Sequence, residues 1–190
     1  MATAPGNLCR GSKRFRPRFL LALFSAILCT LPQGVTADTA QQRSDAVVRV
    51  VHSLLGYARW PTEPEVLRLC VDGSARYAAR LSEGGTLATG RPVQARRIDL
   101  QDAGSTAGCD SVYLGAMTDA RRKKISTELI GRPVLVITEE DFECEIGSMF
   151  CLHVLDGHVS FRVNLDAVAR SGIHIHPGVL QLGRRRGPPS

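Results

Sequence analysis

The chain has 190 residues, of which 24 are lysine or arginine and 18 are aspartate or glutamate. Five of the basic residues and none of the acidic ones fall within residues 1–37, so the rest of the chain carries 19 basic and 18 acidic residues, a net charge of +1. With this near-neutral balance and 5% aromatic residues, the composition gives no evidence for nucleic-acid binding, and we expect no nucleic-acid partner.

The first 37 residues have the pattern of an export signal. A basic segment at residues 13–18 precedes an apolar run, Phe19–Leu31, which is shorter than the roughly 20 residues of a membrane-spanning helix. Small residues lead up to a predicted cleavage after Ala37; a membrane anchor and a lipoprotein are the alternatives. We therefore predict a cleaved signal peptide at 1–37 and one domain at 38–190, a length that suits a single core.

Helical and strand patterns then alternate along the chain. Apolar residues spaced 3.6 apart predict a helix from Gln41 to Ala58, and Pro61 and Pro64 prevent its continuation. Apolar and β-branched runs predict strands, while capped polar segments predict short helices between them. The predicted strands are 66–71, 92–100, 111–115 and 133–138, and the predicted short helices are 74–81 and 119–129.

The C-terminal part begins with a predicted hairpin. Asp156 and Gly157 separate two strand-like runs, 150–155 and 158–163, and favour a type I′ turn. A short helix with Gly172 as its C-cap follows, and then a last helical turn. The order of elements predicts an α/β fold, a single three-layer domain with a mixed β-sheet flanked by helices and an antiparallel hairpin near the C-terminus.

Four cysteines follow the predicted signal: Cys70, Cys109, Cys144 and Cys151. An even number of cysteines in an exported chain predicts two disulfides. Cys144 and Cys151 flank a Gly-Ser turn, which leaves Cys70 to pair with Cys109. A redox pair and a metal site are the alternatives, but the former favours C-x-x-C and the latter favours closely spaced ligands.

The sequence contains no recognisable catalytic constellation. G-x-S-x-G, a glycine-rich phosphate loop and H-E-x-x-H are all missing from it. The acidic cluster Glu139–Glu143 falls on a segment that we expect to be a solvated loop. We therefore expect no enzyme activity, no catalytic residue, no cofactor and no metal.

Four side chains near the ends of elements are candidates for ligand or partner binding: Arg59, Trp60, His174 and His176. Arginine and tryptophan are enriched at interface hot spots, and an imidazole can pair with an acidic or aromatic group. We expect Arg59 and His176 to hold a small anionic or aromatic molecule, or a residue of a partner. The simpler interpretation is that Trp60 fills the edge of the core and the histidines are surface residues.

Several segments resemble the YfiR family of exported proteins. They are LLGYARWP, LRLCV, GCDSVYLG, RPVLVITEEDF and the long segment from IGSMFC to VLQLGRR. The resemblance covers nearly all of residues 38–190 and implies a mixed α/β fold, a homodimer and a periplasmic location. It also implies a non-enzymatic repressor that binds the periplasmic part of an inner-membrane diguanylate cyclase and thereby lowers cyclic di-GMP synthesis and influences biofilm formation. An OmpA-like, peptidoglycan-binding outer-membrane lipoprotein would relieve the repression by sequestering the repressor.

The C-terminal segment holds more apolar side chains than one short helix can bury on one face. They are Leu165, Val168, Ile173, Ile175, Val179 and Leu180. Monomeric soluble domains rarely leave large apolar patches uncovered without a partner. We expect part of this set to be exposed and to contact the cyclase; the alternative is that the domain covers all of it.

Overall fold

The computed structural model of the protein describes residues 35–184 except Phe142 and Asp156, without the side chains of residues 35–38 and 183–184. The predicted signal peptide lies outside this description up to residue 34, and so does one of the two residues of the predicted hairpin turn. The described residues form five helices and nine strands. The helices are α1 (Val35–Tyr57), α2 (Ala78–Leu81), α3 (Asp119–Glu128), α4 (Leu165–Ser171) and α5 (Val179–Arg184). The strands are β1 (Ala58–Arg59), β2 (Leu67–Asp72), β3 (Gly85–Thr86), β4 (Pro92–Ile98), β5 (Ser111–Leu114), β6 (Leu135–Glu139), β7 (Phe150–Leu155), β8 (His158–Val163) and β9 (His174–Ile175).

Seven strands form one mixed sheet in the order β3-β4-β2-β5-β6-β7-β8. The strands from β4 to β7 are parallel, whereas β3 and β8 pair antiparallel with their neighbours at the two edges. In the β7–β8 hairpin Leu155 lies opposite His158, and Gly157 has a φ of 78°, as a tight two-residue turn requires. The predicted mixed sheet with a closing hairpin is confirmed.

Helices cover both faces of the large sheet, which gives the three predicted layers. Side chains of α1 and α2 pack with one set of sheet residues, and Ile125 of α3 packs with another. Successive residues of a strand point to opposite faces. In β6, accordingly, Leu135 and Ile137 belong to the first cluster and Val136 to the second.

The long helix α1 packs on the sheet through one apolar stripe. Its buried residues are Ala46, Val47, Val50, Val51, Leu54 and Leu55. Burial of each large side chain of this kind stabilises the fold by about 1.5–3 kcal/mol. The helix ends at Tyr57 because the next two residues pair with β9 instead. No helix in the described part of the chain is long and apolar enough to cross a membrane.

Two of the shorter helices begin at side-chain caps. Thr118 Oγ1 accepts a hydrogen bond from the Arg121 N–H at 3.4 Å, as its position before α3 predicts. Asn164 Oδ1 accepts one from the Ala167 N–H at 2.9 Å at the start of α4. Gly172, with a φ of 72°, ends α4 as its C-cap, in the left-handed conformation that glycine adopts most easily.

Candidate functional site

The small two-stranded sheet brings two of the predicted binding residues together. In the antiparallel pairing of β1 with β9, Arg59 lies opposite His174 and Ala58 lies opposite Ile175. Residues directly opposite each other in such a pair project their side chains on the same face. Arg59 and His174 therefore share one face and both are exposed, whereas Ala58 is buried in the core.

His176 lies beside the same short sheet. Its backbone N–H donates to the Tyr57 carbonyl at 2.9 Å, and its ring centroid is 6.0 Å from that of Tyr57. Nδ1 of His176 accepts a hydrogen bond from the Gly178 N–H at 3.0 Å. The other ring nitrogen, Nε2, is therefore the one left for a ligand. His176 thus lies directly beside the short sheet that carries Arg59.

The Arg59 guanidinium caps the end of α1. Its Nη1 donates to the carbonyls of Gly56 and Ala58, at 2.9 and 2.8 Å. A cation at a helix C-terminus is favoured by the helix dipole. Among the described residues Arg59 forms no ion pair, so its positive charge is held in place without being neutralised. An anionic group would therefore find an exposed, oriented cation here.

Trp60 is not part of this exposed surface. Its side chain is 5% exposed, and its Nε1–H donates to the Asp110 carbonyl at 3.0 Å. As the residue after Arg59 in an extended segment, it projects to the opposite side. The indole lines a separate groove together with Pro61 and Arg68. Trp60 therefore does not share the exposed surface of Arg59, and its burial agrees with the simpler interpretation of an indole at the edge of the core.

The predicted cyclase-binding patch is divided between core and surface. Ile173 and Val179 are 4% and 2% exposed and belong to the main core cluster. Val168 and Ile175 are partly buried against the same cluster. Leu165 and Leu180 are 70% and 50% exposed. Ile173 and Val179 are therefore wrong as contact residues, because both are already buried in the main core cluster.

Both predicted disulfides are present. Cys70 is bonded to Cys109 across 39 residues, and Cys144 to Cys151 across 7. The first joins the sheet strand β2 to the loop before β5. The second closes a short loop that leads into β7. Each bond constrains the unfolded chain, and in the loop-entropy model the longer loop gives the larger stabilisation.

The segment that leads into the disulfide-closed loop 144–151 is held to α3 by a buried ion pair. Arg122 of α3 contacts the Asp141 carboxylate at 3.2 Å, and both side chains are almost fully buried. The same carboxylate accepts a hydrogen bond from the Cys144 N–H at 3.1 Å. Gly147 packs so closely on Ser126 that a Cβ would lie 2.4 Å from the serine Cβ. Asp141 and Gly147 are therefore packed against α3.

A second buried carboxylate lies at the carboxyl ends of the parallel strands. Glu139, at the end of β6, is 2% exposed. It accepts hydrogen bonds from the Arg76 N–H at 2.5 Å and from the Tyr113 hydroxyl at 2.9 Å. Burial raises the pKa of Glu139 above its ordinary value, although these hydrogen bonds act in the opposite direction. The expectation of a solvated acidic loop is wrong for Glu139 and Asp141.

Sequence patterns gave no signal for these buried acids. Their partners, Tyr113 and Arg122, come from other elements, so no local motif connects them. Burial of a carboxylate requires hydrogen-bond or charge partners, and those partners are assembled only in the folded sheet. In the part of the chain that the structure describes, no group of three or more His, Cys, Asp and Glu residues is placed to hold a metal ion.

The fold and these sites define a class: a three-layer α/β domain with two disulfides and exposed basic and imidazole groups at a short edge sheet. Residues 44–184 match the model of the YfiR/HmsC-like family. This match covers most of the chain and nearly all of the described residues, and the protein belongs to that family.

Part of one solved structure superposes on part of this chain. It is reported as "Crystal Structure and Reactivity of YbdL from Escherichia coli Identify a Methionine Aminotransferase Function". The superposition has a TM-score of 0.38 at 10% identity, covering 76% of this chain and 43% of YbdL. The chain thus spans less than half of that protein's length, and a likeness this distant carries no argument about activity.

Proposed function

We propose that the protein is a periplasmic repressor of an inner-membrane diguanylate cyclase. The observation that carries the proposal is the family match over residues 44–184. It is supported by two disulfides, which suit an oxidising compartment. The repressor binds the periplasmic part of the cyclase in its inactive state, and it shifts the equilibrium of the enzyme by its difference in affinity for the two states.

Relief of the repression is part of the same proposal. An OmpA-like outer-membrane lipoprotein binds the repressor and lowers its free concentration, so the cyclase returns to its active state by mass action. Arg59, His174 and His176 form the polar part of the contact surface, and Leu165 and Leu180 supply its exposed apolar part. The acting form of the repressor is a homodimer.

A small-ligand sensor is the second candidate function. The observation that favours it is the oriented guanidinium of Arg59, which has no ion-pair partner among the described residues, on the short sheet that also carries His174 and leads into His176. A small anionic or aromatic molecule bound there would occupy the same surface as a partner protein. The two functions are compatible, since a ligand of this kind would compete with the partner.

The test is a deletion and complementation experiment. Loss of the gene should raise cellular cyclic di-GMP, measured by mass spectrometry, only in strains that contain the cyclase. Complementation with the full chain should restore the low level. The control is the chain without residues 1–37, which stays in the cytoplasm and should not complement. Unchanged cyclic di-GMP after deletion, or full repression by the cytoplasmic form, would contradict the proposal.

A further inference from the structure

A groove separates the C-terminal part of α3 from α4, and no residue of the short edge sheet lines it. Its volume is about 350 Å³. From α3 it is lined by Lys123, Ser126, Thr127 and the following Ile130, whose spacing of three and four places them on one helical face. From α4 it is lined by Ala167, Arg170 and Ser171, which have the same spacing. We call this the α3–α4 groove.

The floor of the α3–α4 groove is apolar. It consists of Leu129, Val134, Val136, Met149 and Ala167, all of them buried. Ile130 extends this apolar lining to the rim, where its side chain is 75% exposed. A ligand that covered Ile130 would remove its apolar surface from water, which favours binding.

The rim of the groove is basic. Lys123, Arg132 and Arg170 line it, and no aspartate or glutamate among the described residues does. Arg132 is fixed in position, because it donates to the Thr106 hydroxyl at 3.1 Å and to the Thr106 carbonyl at 2.6 Å.

The other two cations of the rim are available to a ligand. Lys123 is exposed and has no ion-pair partner among the residues that the structure describes. Arg170 pairs with Asp166 at 2.6 Å, but both side chains are more than half exposed, and pairs of this kind contribute little.

From this geometry we propose that the α3–α4 groove is a binding site for a small amphiphilic anion, with its apolar body on the floor and its single carboxylate or sulfonate between the rim cations. The volume is in the range of small-molecule sites, which are mostly apolar with a few convergent polar groups. If each non-hydrogen atom takes the volume of a water-sized group, about 30 Å³, the groove accommodates about twelve of them. The site does not depend on the proposed repressor function, because neither the cyclase nor the edge sheet takes part in it.

The experiment uses decanoate, which has an apolar chain and one carboxylate and the required size. Amide chemical shifts of the ¹⁵N-labelled protein are followed during titration. Saturable shifts are expected at Thr127, Ile130, Gly131 and Ser171, with a Kd of about a millimolar or below for a ligand of this size. Neutral 1-decanol and tail-less acetate should each bind at least about threefold more weakly.

Two charge reversals on the same helix provide the matched control. Lys123→Glu places a carboxylate on the rim and should weaken decanoate binding about threefold or more. Lys124→Glu changes the net charge by the same amount at an exposed position outside the groove and should leave decanoate binding unchanged. Ile130→Ser, which removes only an exposed side chain, should also weaken binding. Equal effects of the two lysine variants, equal binding of decanol, or shifts confined to residues outside the groove would overturn the proposal.

Discussion

Replacement of Gly147 by alanine tests whether the disulfide-closed loop is seated on α3 as the structure shows. Gly147 has a φ of 74°, and a Cβ there would lie 2.4 Å from Ser126 Cβ and 2.5 Å from its Oγ. Alanine in the left-handed conformation costs about 1–2 kcal/mol. The contact with Ser126 adds about 1–3 kcal/mol, because a packed interface must shift to admit the extra methyl group. The expected total is a loss of about 2–5 kcal/mol in the free energy of unfolding.

Gly104→Ala is the matched control for this substitution. Gly104 has a φ of 72°, and nothing lies within 4 Å of the position its Cβ would take. It should therefore lose only the backbone contribution of about 1–2 kcal/mol. Urea unfolding followed by the fluorescence of the single tryptophan, Trp60, gives both values. In a Ser126→Gly background the clash is removed, and the two glycine substitutions should then cost the same. The reasoning fails if Gly147→Ala is no more destabilising than Gly104→Ala, or if Ser126→Gly leaves their difference intact.

Three further predictions concern charge and exposure. Burial raises the pKa of Glu139 above 4.5, so the folded state binds this proton more tightly than the unfolded state, and the free energy of unfolding falls as pH rises from the unfolded pKa through the folded one. Glu139→Gln should flatten this decline when urea unfolding is measured from pH 4.5 to 7.5. A pH profile identical to that of the unchanged protein would contradict the assignment. Leu180→Asp should fold normally by circular dichroism but weaken repression of the cyclase. Val179→Asp changes a core position that is 2% exposed and should unfold the domain, so a well-folded Val179→Asp protein would refute the burial argument. Arg59→Glu should weaken binding to the cyclase's periplasmic part in a direct titration, whereas Arg49→Glu, an exposed control on α1, should not. Equal affinities of the two variants for the cyclase would remove Arg59 from the contact surface.

Local patterns were sufficient to predict most of the elements. Local sequence was enough where an element depends on contacts within a few residues. This holds for the apolar stripe of α1, the β-branched run of β6, the Thr118 cap and the C-cap Gly172. The cysteine count and the short 144–151 spacing were likewise enough to predict both pairs, since only one pairing remains once the close pair is chosen. The short strand β3 and the extension of α1 towards Val35 had no comparable signal.

The sequence by itself therefore determined most of the longer helices and strands, how the cysteines pair and that the sheet is mixed. Only the tertiary structure decided which polar and apolar residues are covered. Glu139 is an acidic residue at the end of β6, yet it is buried and accepts hydrogen bonds from the Tyr113 hydroxyl and the backbone N–H of Arg76. Val179 and Leu180 are adjacent and both apolar, yet one is in the core and the other is half exposed. The physical reason is that periodicity shows which side of an element is apolar, whereas burial depends on which distant element packs against that side.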